Sequence, residues 1–228
     1  MVLILVFNRF KKNSLIKKAR KLYHQDKYQE ALECYNKIIS EIDSNSDEAW
    51  RGKGLVLGKT GKHIEAVKSF DNVITINPKS IDAWNGKGLA LIGIRKLEDA
   101  EKCFNMVLEM DPINADTLLN KGFILRELGR YEEALKCLNQ SLELDSNNFL
   151  VWCVKGHTLK KLGKYHESLK CIDKSLALNP ENIYALYEKG YVFTKLKKKK
   201  EALKCYDQAL ELDPSFEHAL NAKNMISI

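Results

Sequence analysis

Six cysteines, five histidines and several glycine-rich strings are the parts of this 228-residue sequence that could carry chemistry. Gly54-Leu-Val-Leu-Gly58-Lys59-Thr60 imitates a phosphate-binding loop. That loop needs four residues between its glycines and a strand before them, and neither condition is met. Gly52-x-Gly54 and Gly86-x-Gly88 lack the strand–turn–helix setting of a dinucleotide site for the same reason. His24, His63, His157, His166 and His218 show no metal-ligand spacing, and there is no Cys-x-x-Cys pair. Glu132 and Glu133 sit at a predicted helix start, where carboxylates favour the positive end of the helix dipole. No catalytic residue, metal site or cofactor is expected.

The elements that carry these residues explain why they imitate sites. Trp50, Trp84 and Trp152 lie 34 and 68 residues apart. Pro78, Pro112, Pro180 and Pro214 step by 34, 68 and 34, and Gly54, Gly88, Gly122, Gly156 and Gly190 step by 34 throughout. The chain therefore divides into an apolar and basic lead-in (1–11), six repeats (12–46, 47–80, 81–114, 115–148, 149–182, 183–216) and a capping helix (217–228). With Asp47 as position 1, Trp50, Lys53, Gly54 and Leu57 form one helical stripe. Ala66, Phe70, Val73 and Ile74 form a second. Gly61 breaks the pair, and Pro78 ends the unit. The small residue at position 8 is expected to face the small residue at position 20, with large residues at positions 4 and 24 around them. Cys34, Cys103, Cys137, Cys171 and Cys205 take position 23, one per repeat, too far apart for disulfides. Cys153, at position 5, is expected to be the more accessible thiol. Lys68–Asp71, Lys170–Asp173 and Lys204–Asp207 read as i,i+3 pairs.

The pattern W-x-x-K-G, then G-x-Y-x-x-A, a large apolar residue and D/N-P, at a 34-residue period, resembles the tetratricopeptide repeat, of a prokaryotic or archaeal type. Trp50 to Pro78 and Leu118 to Asn147 carry it most fully, and the resemblance spans residues 12–228. Ser44 and Ser146 stand where proline is usual, and lysine fills position 7 in every repeat, where leucine is commoner. The resemblance implies an all-α, right-handed solenoid of antiparallel helix pairs, with no enzymatic activity, that scaffolds other proteins. It also implies that positions 2, 5, 9 and 12 of each first helix line a concave groove for a peptide or helix of a partner. The candidate groove residues are Arg51, Asn85, Leu89, Leu119, Phe123, Arg126, His157, Tyr184, Tyr187 and Tyr191. Lys160 and Cys153 share that stripe. Burial by neighbouring helices is weighed for Leu89 and Ile92, and less for Tyr187 and Tyr191. No three consecutive repeats supply the lysine and asparagine set with which some family members clamp a terminal carboxylate.

Composition limits the alternatives. With 45% apolar and 29% charged residues the chain is not disordered. A net charge of +7 permits acidic partners without requiring them. Turns inside repeats are net basic, and turns between repeats are net acidic. The basic extreme is Lys195, Lys197, Lys198, Lys199 and Lys200, a second candidate contact for an acidic protein or nucleic acid. Sequence-specific RNA reading is disfavoured, because RNA-reading helical repeats use a different residue code. Val2–Phe7 is too short to span a membrane and lacks the flanks of a secretory signal, so a cytoplasmic location is expected. That run is read as a flap or strand-like segment over the first repeat, or else as an interfacial anchor.

Overall fold

The computed structural model describes residues 2–227, with side chains over 7–226. Thirteen helices follow one another among the described residues: α1 (Val2–His24), α2 (Tyr28–Glu41), α3 (Asp47–Lys59), α4 (His63–Ile76), α5 (Ile81–Gly93), α6 (Leu97–Met110), α7 (Ala115–Glu127), α8 (Tyr131–Leu144), α9 (Phe149–Lys161), α10 (Tyr165–Leu178), α11 (Ile183–Lys195), α12 (Lys199–Leu212) and α13 (Glu217–Ser227). This is the all-α repeat array that the period predicts. It forms two compact units, α1–α6 up to Pro112 and α7–α13 from Ile113.

Each boundary has a local cause. The first helices of repeats two to six start at Ser46, Ser80, Asn114, Asn148 and Asn182, whose side chains accept backbone N–H bonds from the first turn. This cap was legible in the sequence but absent from the motif reading. The turn inside each repeat takes a left-handed residue at position 15: Gly61, Gly129 and Gly163, but also Asp26, Arg95 and Lys197.

The lead-in is not strand-like. Residues from Val2 are helical and continue into α1 without a break. No proline or glycine interrupts Met1 to His24, and β-branched residues lower helix propensity only slightly. Phe7 and Phe10 are 64% and 74% exposed, so they do not cover the first repeat. The side chains of Val2 to Val6, on which the flap and anchor readings rest, lie outside the described residues.

Within each unit the core is built from position 24 of the second helices. Tyr35, Phe70 and Phe104 are buried in the first unit, and Leu138, Ile172 and Tyr206 in the second. The glycine at position 8 makes room for this side chain first. A Cβ on Gly88 would lie 2.7 Å from the Phe104 ring, on Gly122 2.8 Å from Leu138, and on Gly190 2.5 Å from Tyr206. The small residue at position 20 is a secondary contact, with the Ala134 carbonyl 3.4 Å from a Cβ on Gly122. The small-against-small pairing expected from the sequence is thus chiefly glycine against a large neighbour.

Position 7 joins one repeat to the last. Lys87 bonds Asp71 at 2.6 Å, Lys189 bonds Asp173 at 2.7 Å and Lys223 bonds Asp207 at 2.7 Å. These aspartates therefore pair across the repeat boundary with the next first helix, and not, among the described residues, with the lysine three residues before them as the sequence suggested, because stacking brings the next helix closer to the carboxylate. The ammonium groups of Lys53, Lys87 and Lys155 also lie 5.2, 5.5 and 5.2 Å from the rings of Trp50, Trp84 and Trp152. Each indole donates to the carbonyl at position 32 of the preceding repeat: Ser44, Pro78 or Ser146, at 2.8, 2.9 and 2.8 Å. A carbonyl is all the tryptophan requires, so serine serves where proline is usual.

Candidate functional site

In the first unit, α3 and α5 place Arg51 against Asp82, and α1 and α3 place Arg20 against Glu48, each as an ion pair between neighbouring repeats. Leu55 and Leu89 are 49% and 50% exposed. The burial weighed for Leu89 does not occur; Ile92 is half-buried. Between them opens an apolar pocket of about 260 Å³ lined by Tyr23, Leu55, His63, Phe70 and Leu89 among others. Its back wall is glycine: the Phe70 ring fits between Gly54 and Gly86, where any Cβ would collide with it. This packing is what the two Gly-x-Gly strings provide. Asn85 is half-buried on α5.

In the second unit, Phe123 and Arg126 stack on α7, the guanidinium 4.6 Å from the ring centroid. Arg126 is buried and donates to Glu127 through Nε at 3.1 Å and Nη2 at 2.7 Å. Leu119 is half-buried against Leu138, Leu142 and Val151. On α9 and α11, Lys160 Nζ approaches Glu188 Oε2 at 2.5 Å. Oε2 receives no aligned hydrogen bond, so the contact is an ion pair rather than a directed bond. Lys160 also lies 4.5 Å from the Tyr191 ring centroid, and Lys195 lies 5.3 Å from it. His157 Nδ1 is 3.5 Å from Glu188 Oε1. Burial, followed by the charges of Lys160, Arg126 and Lys161, pushes the His157 pKa down to about 3. The imidazole is therefore neutral near pH 7, and its contact with Glu188 is polar rather than ionic.

Tyr184, Tyr187 and Tyr191 share α11 but not one environment. Tyr184 is 65% exposed, with its ring edge-on to Phe216 at 5.3 Å. Tyr187 is half-buried between Tyr206 (6.1 Å), Phe216 (5.8 Å) and His218 (5.7 Å). The weak burial expected of Tyr187 is thus overturned, because Phe216, just before α13, and His218, in its first turn, pack onto it. Phe216, His218, Glu188 and Lys161 were not singled out by the stripe. Phe216 had a signal: it fills the position where every other repeat boundary carries serine or asparagine. Tyr184, Tyr187, Tyr191, Glu188, Lys161 and His218 border an open recess of about 590 Å³.

Cys153 is the most accessible of the six cysteines, as its position suggested, the other five being buried. It is half-buried, and burial, with Glu188 next, pushes its pKa up to about 11. All six cysteines are free thiols. In the lysine-rich turn, Lys195 lies over Tyr191 and Lys198 is 6.0 Å from the Phe193 ring. Lys197, Lys199 and Lys200 are exposed. Among the described residues no group of three His, Cys, Asp or Glu could hold a metal ion. None of the described helices is long and apolar enough to cross a membrane.

Tetratricopeptide repeat sequences match residues 47–80, 81–114, 115–148, 149–182 and 183–216. The chain belongs to the tetratricopeptide repeat family, whose members are generally non-enzymatic protein–protein interaction modules. A comparison with curated proteins found no match. Among solved structures the chain is similar to YrrB, described as a tetratricopeptide repeat protein with an unusual peptide-binding site. Identity is 22% and the TM-score 0.63, over 85% of this chain and 99% of that one. It is also similar to PilF of Pseudomonas aeruginosa, at 15% identity and a TM-score of 0.80, over 96% and 99% of the two chains. The Cut9–Hcn1 assembly of the APC/C gives 15% identity and a TM-score of 0.84, over 94% of this chain and 42% of that one. At these identities the likeness is one of fold.

Proposed function

We propose that the chain is a non-enzymatic scaffold or adaptor that holds a peptide or helix of a partner protein on the first-helix faces of its repeats. The observation that carries this reading is the recess on α9 and α11, where Tyr184 stays 65% exposed beside half-buried Tyr187 and Tyr191. Tyrosines that offer an apolar body and a polar tip on a rigid helix suit peptide capture. YrrB, which shares the fold, is described as having a peptide-binding site. Arg51, Asn85, Leu89, Leu119, Phe123, Arg126 and His157 belong to the same reading as contacts on other repeats. A cytoplasmic location is part of the proposal.

Tyr184 is the side chain to remove, because Tyr187 packs inside the last repeat and its loss would disturb the fold. Immobilised wild type and Tyr184→Ala are compared for capture from lysate of the source organism, washed at low and at high salt. Capture of one defined protein at high salt by the wild type, reduced at least about tenfold by Tyr184→Ala with an unchanged thermal melt, supports the proposal. Equal capture by both proteins sinks it. Material that leaves at high salt, or nucleic acid in its place, assigns the binding to the lysine turn at 195–200 instead.

A further inference from the structure

The recess carries more unmatched charge than the first-unit pocket, where Lys59 alone is exposed without an ion pair among the described residues. In the first unit the cations Arg20 and Arg51 are already matched by Glu48 and Asp82 on the next repeat. In the second unit Arg126 is matched by Glu127, and Lys160 by Glu188. Lys161 and Lys195 border the same recess and make no ion pair among the described residues. Lys161 is exposed, and Lys195 is exposed while leaning on the Tyr191 ring. His157 adds no charge, because burial and the surrounding cations keep it neutral. The recess therefore carries two uncompensated ammonium groups, from the last residues of α9 and α11, and an exposed tyrosine at the start of α11, about 16 Å along the helix from Lys195.

We infer that this recess takes an acidic peptide segment of a partner protein, its carboxylates on Lys161 and Lys195 and an apolar or aromatic side chain against Tyr184. This deepens the reading of the chain as a peptide-holding scaffold and rests on it. Two exposed ammonium groups suit discrete carboxylates, because charge complementarity across a contact sets which partner is taken. A continuous run of phosphates would find only two free cations in the recess to neutralise it. The occupant is thus an acidic peptide rather than a nucleic acid.

The test uses the full chain and a randomised dodecapeptide display library. Selection is run on the wild type and on Lys161→Glu/Lys195→Glu, both exposed positions where reversal leaves the fold intact. A single-stranded oligothymidylate serves as the nucleic-acid probe. The expected result on the wild type is a consensus of Asp or Glu with an aromatic or large aliphatic residue several positions away, as the length of α11 between Tyr184 and Lys195 requires. A synthetic consensus peptide should then bind the double variant at least about tenfold more weakly, and should weaken as salt rises. A consensus without acidic bias, reduced by Tyr184→Ala, overturns the acidic inference while peptide capture stands. No enriched peptide on either protein overturns both. Oligothymidylate binding tighter than any selected peptide also overturns both, in favour of nucleic acid.

Discussion

Three residues occupy left-handed backbone that three glycines occupy in the other repeats. Asp26, Arg95 and Lys197 have φ of 57°, 59° and 59°, against 74–77° for Gly61, Gly129 and Gly163. A side chain with a Cβ loses about 1–2 kcal/mol in this region, part of which glycine forfeits again through its freer unfolded chain. Arg95→Gly and Lys197→Gly should each stabilise the chain by about 0.5–1 kcal/mol, read as a higher urea midpoint at constant slope. His157 gives a second expectation. Its folded pKa of about 3 lies below the unfolded value of 6.5, so the unfolded chain binds the extra proton first as pH falls. Stability is unaffected by His157 above about pH 6.5 and declines from there toward pH 3, by about 1–3 kcal/mol at pH 4. Urea unfolding at pH 7 and pH 4 checks this, and His157→Gln should remove that part of the pH dependence.

At the scale of the helix pair, packing decides which substitutions the array bears. Gly190 faces Tyr206, and a Cβ there would lie 2.5 Å from the ring. Gly190→Ala should destabilise by about 1–3 kcal/mol despite the better helix propensity of alanine, because a close-packed core has no room to yield. Thermal unfolding measures it, and a neutral or stabilising result would mean that the ring moves aside freely. The glycine period and the paired helices were legible in the sequence, since 3.6-residue stripes and helix breakers are local signals. The partner of each position-7 lysine was not. Asp71 has Lys68 three residues before it, yet it meets Lys87 sixteen residues on, because stacking of α5 on α4 brings the two together.

At the scale of the whole chain, a repeat array gains stability mainly from neighbours, so damage should stay near its source. The two compact units sharpen that expectation. Gly190→Ala should speed amide exchange in α9 to α13 and leave α1 to α4 within about twofold of the wild type. Uniform acceleration along the chain, measured by hydrogen exchange, would show a single cooperative unit instead. The candidate faces follow the same logic. Every repeat offers the stripe at positions 2, 5, 9 and 12, but among the described residues only the last pair combines exposed tyrosine with unmatched lysine.

The sequence by itself determined the family and the helix pairs, because each depends on periods and turn residues within 34 positions. It also placed the stripe on which Tyr184, Tyr187 and Tyr191 lie. Tertiary structure alone decided which stripe residues are open. Phe216 and His218 reach Tyr187 from beyond the next helix, Glu188 neutralises Lys160 from the following repeat, and Leu89 is left uncovered. Burial and charge pairing depend on neighbours distant in the chain, and a stripe read along one helix does not contain them.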